Sequence, residues 1–334
     1  MFRAFCSSIA VVFIGALVAA GIRIGVAQSD KPVVVLAYGD TRFTDPSNVT
    51  ATNPVARKVL IARMAEERPD AIVISGDVPW HGGVADDYVQ FRRETEIWRS
   101  LKIPVVPATG NHEFSQCEPQ ACLENWWTAF PELRGRRWHG SDAGPHVRIV
   151  ALDTMSPLVA GSEQRTWLDH EIETLPPAID FLIVALHHPP VADIQTRLRV
   201  DHNPRPNELA LADFLQAGAS SHRFRIVVIA GHIHNYERFL QDDVTYLVSG
   251  GGGAPPYEVD RTPADLYKGI DFPNFHYVKM TVAGGRLHGE MFRLDEPTAP
   301  SPHFTMKDAF DVATSGVKRQ RRGFQRTPAA NVGL

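Results

Sequence analysis

Residues 33–42 read Val-Val-Val-Leu-Ala-Tyr-Gly-Asp-Thr-Arg. A β-branched run that ends in Gly-Asp predicts a buried strand, Val33 to Ala37, that delivers a carboxylate just past its carboxyl end. The phrase recurs along the chain. Ala71 to Ser75 runs into Gly76-Asp77, Ile103 to Pro107 into Gly110-Asn111-His112-Glu113, Phe181 to Leu186 into His187-His188-Pro189, and Phe224 to Ile229 into Gly231-His232-Ile233-His234. Val147 to Leu152 is a further apolar run, and Pro54 to Glu67, Tyr88 to Leu101, Glu163 to Thr174 and Asn207 to Ala217 read as helices between the strands. Such alternation predicts an α/β fold with mainly parallel central strands. Val244 to Ser249, Tyr277 to Val282 and Leu287 to Phe292 are expected to close it as an antiparallel set. In open sheets of this class, ligands bind beyond the carboxyl ends of the strands, where five motifs place Asp, Asn and His.

Composition narrows the classes. The 334 residues, 44% apolar and 22% charged, suffice for a large core, and a net charge of -4 gives no overall basic field for nucleic acid. A small-molecule partner fits better. Residues 1–27 have a positive start at Arg3, a 14-residue apolar run from Ile9 to Ile22 and small residues at Gly25-Val26-Ala27, the layout of a signal peptide. Export to the periplasm or medium is therefore expected. An N-terminal anchor is the alternative, but the run is shorter than the roughly 20 residues a spanning helix needs, so no membrane span is expected after cleavage. Cys117 and Cys122 can pair across Glu118 to Ala121 in an oxidising compartment, or remain two thiols. They supply only half of the four ligands of a structural zinc site. The catalytic domain is expected over 31–295. Residues 296–334 read as a partly disordered extension whose Lys318-Arg319-Gln320-Arg321-Arg322 segment lacks apolar periodicity.

Each motif alone is weak, because Gly-Asp after a strand is usually a turn and His-x-His is usually a surface pair. Together, GD (Asp40), GD (Asp77), GNHE (ending Asn111 to Glu113), HHPP (His187 to Pro190) and GHIHNYER (Gly231 to Arg238) resemble the calcineurin-like metallophosphoesterase superfamily. Tyr236-Glu237-Arg238 after the histidine pair is similar to the purple acid phosphatase branch. The resemblance covers about 33–293. It implies a four-layer sandwich, two β-sheets flanked by helices, that hydrolyses small-molecule phosphate mono- or diesters with water activated in a dinuclear centre.

The resemblance also implies a ligand set. Asp40 and His234 would hold one ion, Asn111, His187 and His232 the other, and Asp77 would bridge. His187 is preferred to His188 because the family's ligand directly follows the strand and neighbouring strand residues face opposite ways. His112 matches the histidine that touches substrate and protonates the leaving group. Oxygen and imidazole donors without thiolate suit two divalent or trivalent transition-metal ions, iron, manganese or zinc. Two such ions about 3.5–4 Å apart can acidify water and stabilise an in-line displacement.

Two positions depart from the family. Asp-x-His, or Asp-x-Gly in the purple branch, is here Asp40-Thr41-Arg42, and a guanidinium has no lone pair for a metal. Arg42 is expected either to grip a substrate phosphate with its forked donors or to pair with an acid or solvent. Trp80 stands where the purple branch has a tyrosine, so tyrosinate-to-iron colour should be absent. His81 is expected in solvent, with approach to the cluster as the alternative, Glu113 as a group that orients a neighbour, and Trp126 and Trp127 in the core, with one of them walling the substrate cleft as the alternative. His139, His146, His202 and His276 have no motif around them. These departures keep open a second class, an exported binding protein that retains the scaffold without turnover. A third, a surface-binding protein acting through the basic tail, has no support in the core.

Overall fold

The computed structural model describes residues 31–193 and 202–314. The expected leader and the 318–322 basic segment lie outside the described residues. Strand β1 (Val33–Tyr38) is apolar throughout because both its faces are covered. Val35 and Ala37 enter a core between two sheets, and Leu36 and Tyr38 enter a second core under helices. The outer helices are α1 (Pro54–Glu66), α2 (Ala85–Glu94), α3 (Glu96–Ser100) and α4 (Pro119–Ala129). Helix α1 starts on Asn53, whose side chain accepts the N–H groups of Val55 and Ala56, with Pro54 in the first turn.

The first sheet contains β1, β2 (Ala71–Ile74), β3 (Val105–Pro107), β10 (His276–Ala283), β11 (Arg286–Asp295) and β12 (His303–Ala313), in the order β12-β11-β10-β1-β2-β3. The second contains β4 (His139–Ala143), β5 (Val147–Ala151), β6 (Phe181–Ala185), β7 (Arg225–Ala230), β8 (Tyr236–Gln241) and β9 (Val244–Ser249), in the order β4-β5-β6-β7-β9-β8. Its strands also split by alternation. Ile149, Ile183 and Val227 face the inter-sheet core, while Val150, Leu182 and Val228 pack under α5 (Glu163–Glu173) and α6 (Pro206–Ala219). The result is the expected four-layer sandwich, with parallel strands β1-β2-β3 forming one end of the first sheet and β5-β6-β7-β9 the centre of the second.

Several expectations need correction. Residues 244–249 pair in parallel with β7 and antiparallel with β8, so they belong to the second sheet and not to the β10-β11 set. The helix expected over 88–101 is two, broken at Thr95, whose hydroxyl bonds back to the Phe91 carbonyl at 2.7 Å. The boundary at 295 falls between paired strands: β12 continues the sheet to residue 313. It is tied across to β8, because Asp308 receives the Tyr236 hydroxyl at 3.0 Å and Arg238 Nε at 2.6 Å. Two residues of the Tyr236-Glu237-Arg238 segment thus hold an edge strand. Cys117 and Cys122 are joined in a disulfide at the start of α4, with Cα atoms 5.7 Å apart, and Trp126 and Trp127 are core residues. No described helix is long and apolar enough to cross a membrane.

Candidate metal centre

The parallel strands of both sheets end on one edge of the sandwich. Beyond its last residue β1 runs beside the chain that leaves β2: Asp40 N donates to Gly76 O, Arg42 N to Asp77 O and Phe43 N to Val78 O. This ladder puts Asp40, Arg42 and Asp77 side by side. Asp40 (φ 57°), Arg42 (φ 46°), Asp77 (φ 54°) and His232 (φ 71°) all take the left-handed conformation, which is uncommon for residues with a Cβ and persists where surrounding structure holds it. Asn111 follows a glycine for a spatial reason. A Cβ on Gly110 would lie 2.4 Å from Asp77 Oδ1 and 2.7 Å from His187 Cγ.

His187, fully buried, donates its Nδ1 proton to Ser75 O at 3.0 Å. Its Nε2 therefore presents a lone pair, 3.0 Å from Asn111 Oδ1 and 3.3 Å from both Asp77 Oδ1 and His232 Nδ1. His234 is oriented alike: Nδ1–H donates to Pro255 O at 2.8 Å and Nε2 lies 3.5 Å from Asp40 Oδ1. Backbone carbonyls thus set the tautomer and aim of both rings. Asp40 Oδ2 accepts the His232 N–H at 2.8 Å and Asp77 Oδ1 the His112 N–H at 3.0 Å, while Asp40 Oδ1 and Asp77 Oδ2 are buried without a hydrogen-bond partner. Lone pairs crowded on lone pairs and orphaned carboxylate oxygens are costly unless a cation lies among them. The donor set, oxygen and imidazole without sulfur, fits transition-metal ions.

The electrostatics agree. Burial pushes Asp40 up to about 7, against the neighbouring His187. Burial acts upward on Asp77 too, but His187, His112 and Arg42 together hold it well below the usual carboxylate range. Burial lowers His232 strongly and His234 to about 3, which keeps both rings neutral as ligation requires.

All six predicted ligands come to this edge. Ligand atoms of Asp40, Asp77 and His187 lie within 4.8 Å of one another, and so do those of His187, His188 and His232. His188 therefore lies closer than strand alternation allows. The reason is that β6 ends at Ala185, so the histidine pair is past the pleat; His188 sits with Nδ1 2.7 Å from the Thr154 hydroxyl and its ring 4.3 Å from that of His232. His202, which carries no motif, has its ring centre 4.7 Å from that of His232, at a tilt of 43°. Of the remaining histidines, His139 contacts Pro107 O, His276 is buried against Asn274 O and Ser249, and His81 pairs with Ser115.

Arg42 turns inward, 85% buried by its 15% side-chain exposure, with a terminal nitrogen 3.7 Å from Asp77 Oδ2. Its guanidinium lies over the Trp80 ring, 5.0 Å from the centre, and its Nε is buried without a partner. The two departures from the family pattern therefore touch each other. His112 donates Nδ1–H to Trp80 O at 2.5 Å and turns Nε2 to Asp77 Oδ2 at 3.7 Å. Glu113 is buried beneath, its two oxygens accepting the N–H groups of Asp77, Val78 and Gly110 at 3.1, 2.8 and 2.7 Å. It splints the loop that carries Asp77 to the loop that carries Asn111.

Residues 33–236 match the family model described as calcineurin-like phosphoesterase. A probable cyclic nucleotide phosphodiesterase of Rhodococcus erythropolis is 32% identical over 184 residues, 53% of this chain and 56% of that protein, so the chain spans about half of its relative's length. Among solved structures, a purple acid phosphatase from yellow lupin (Lupinus luteus) seeds superposes with a TM-score of 0.66 at 20% identity, covering 86% of this chain and 54% of the other. A dimetal phosphatase from Danio rerio does so with 0.55 at 14% identity, covering 85% and 99%. At these identities the structural likeness is one of fold.

Proposed function

Because the chain belongs to the calcineurin-like phosphoesterase family, we propose that it is an exported hydrolase of small-molecule phosphate esters that works with two transition-metal ions. The observation that carries this is the pairing of opposite needs in one cleft: Asp40 Oδ1 and Asp77 Oδ2 are buried acceptors without a donor, and Arg42 Nε is a buried donor without an acceptor. Cations answer the first need and a phosphate oxygen the second.

Asp40 and His234 would hold one ion, Asn111, His187 and His232 the other, and Asp77 both. The bound ions supply Lewis-acid charge to the phosphoryl group and acidify the attacking water. Arg42, pinned over Trp80, binds a non-bridging phosphoryl oxygen through its forked donors. His112 keeps one proton on the Trp80 carbonyl, so an Nε2 proton for the leaving oxygen exists only in the imidazolium form. Glu113 fixes the Asp77 loop against the Asn111 loop while the charge develops. Export is supported by the residue 1–27 layout and agrees with the Cys117–Cys122 disulfide.

The curated relative's name makes phosphodiesters, cyclic nucleotides among them, the first substrates to try. The test is hydrolysis of aryl phosphate monoesters, aryl diesters and cyclic nucleotides by purified protein of known metal content. Turnover of at least one class with metal present is expected, and failure on all of them removes the enzyme reading. The ion pair between Arg42 and Asp77 favours a second reading, a binding protein on this scaffold. Retention of phosphate and metal without turnover would select it.

A further inference from the structure

The two halves of the cluster are built unequally. On one side Asn111 Oδ1, His232 Nδ1 and Asp77 Oδ1 all lie within 3.0–3.3 Å of His187 Nε2, and His188 stands within 4.8 Å of His187 and His232. Five side chains are therefore already gathered there. On the other side Asp40, gathered with Asp77 and His187, faces one further ligand, His234, 3.5 Å away, and His234 is in neither gathered group. The Asp77 oxygen left for that side, Oδ2, has the Arg42 guanidinium 3.7 Å away. Stacking on Trp80 and burial hold this permanent charge in place.

We infer that Arg42, positioned by Trp80, acts as a built-in cation of the cluster, so that the Asn111–His187–His232 half-site holds its ion tightly while the Asp40–His234 half-site holds a weak, exchangeable one. The inference rests on the metal-dependent reading above. Arg42 lowers the affinity of the poorer half-site in two ways: it supplies no lone pair, and its charge repels a divalent ion that must share Asp77. The enzyme then exists in a one-ion form, with Arg42 completing the charge around the phosphate, and in a two-ion form that needs free metal.

The test is calorimetric titration of metal-stripped protein with Mn(II), paired with elemental analysis after dialysis. The wild type should retain one ion and bind a second at least about tenfold more weakly. His234→Ala should abolish the weak ion and spare the tight one. Arg42→Ala should narrow the gap by about tenfold or more, Trp80→Ala should narrow it in part, and Trp80→Phe, which keeps a ring under the guanidinium, should preserve it. Two ions of equal affinity in the wild type, or a gap unchanged in Arg42→Ala, overturn the inference. Unequal ions without any ester hydrolysis would leave it standing while removing the hydrolase reading, and absence of metal binding removes both.

Discussion

Glu113 offers the sharpest energetic test of how the centre is held. Its buried carboxylate accepts N–H groups from Asp77, Val78 and Gly110. Burial and the Asp77 charge push its pKa up to about 8, yet three donors aimed at two oxygens fit the ionised form. In Glu113→Gln one oxygen can still serve Asp77 and Gly110, but the amide nitrogen then faces the Val78 N–H, donor against donor. One charge-assisted bond, worth about 1.5–3 kcal/mol, is lost and two become neutral, so the metal-free variant should lose about 2–4 kcal/mol. Glu113→Ala leaves three buried donors unserved and should lose about 3–6 kcal/mol. Urea unfolding of metal-free protein at about pH 9, where the carboxyl is ionised, measures both, and elemental analysis of each variant after metal loading should show reduced content as Asp77 and Asn111 lose register. A glutamine variant within about 0.5 kcal/mol of wild type with full metal content would refute the splint.

Three further outcomes follow from the same geometry. His112→Ala should keep the metal while slowing esters with poor leaving groups by about 10²–10⁴-fold and activated aryl esters much less; equal losses would argue against a leaving-group acid. Iron-loaded protein should lack the strong visible band of tyrosinate ligation, because Trp80 stands at that position, the Tyr236 hydroxyl bonds Asp308, and the Tyr257 hydroxyl donates to His232 O; an intense band in the absorption spectrum would show another tyrosine at the metal. Away from the centre, burial tends to raise Glu67 but Lys279, Tyr277 and Arg63 lower its pKa overall, so its contribution is present above the ordinary glutamate range and is lost as pH falls through the lowered folded value. Glu67→Gln should cost about 1 kcal/mol or less near neutrality and nothing in strong acid, and a deficit that persists in acid-range unfolding curves would contradict this assignment.

Much of the fold and the centre was legible because both depend on local pattern. Continuous apolar runs mark strands buried on two faces, and a strand end that carries Asp, Asn or His declares its direction. What escaped depends on partners remote in sequence. In strand β12 the pairs Lys307-Asp308 and Ala309-Phe310 break the polar/apolar alternation, and what fixes it is remote: β11 pairs with it and Tyr236 and Arg238 reach Asp308. The allegiance of β9 to the second sheet is a matter of topology, invisible in Val244 to Ser249 alone. The break at Thr95 had a faint signal, a hydroxyl able to bond back along the helix. The role of Glu113 was anticipated as orientation, but its three backbone partners could not be read from the motif. Contact between Arg42 and Trp80 was equally hidden, since 38 positions in sequence become neighbours only when the ends of β1 and β2 run together. His188 is the converse case: strand alternation ends at Ala185, three residues before it, and does not set its direction.

The central claim is that this cleft hydrolyses phosphate esters through metal held by the six ligands. Its most direct test is the initial rate of phosphate-ester hydrolysis as Mn(II) is added back to metal-stripped protein, with Asp77→Asn alongside. The account predicts no rate without metal, a saturable rise in the wild type, and almost none in the variant, because Asp77 is shared by both half-sites. Hydrolysis that persists in the stripped protein, or an Asp77→Asn curve that matches the wild type, would contradict it.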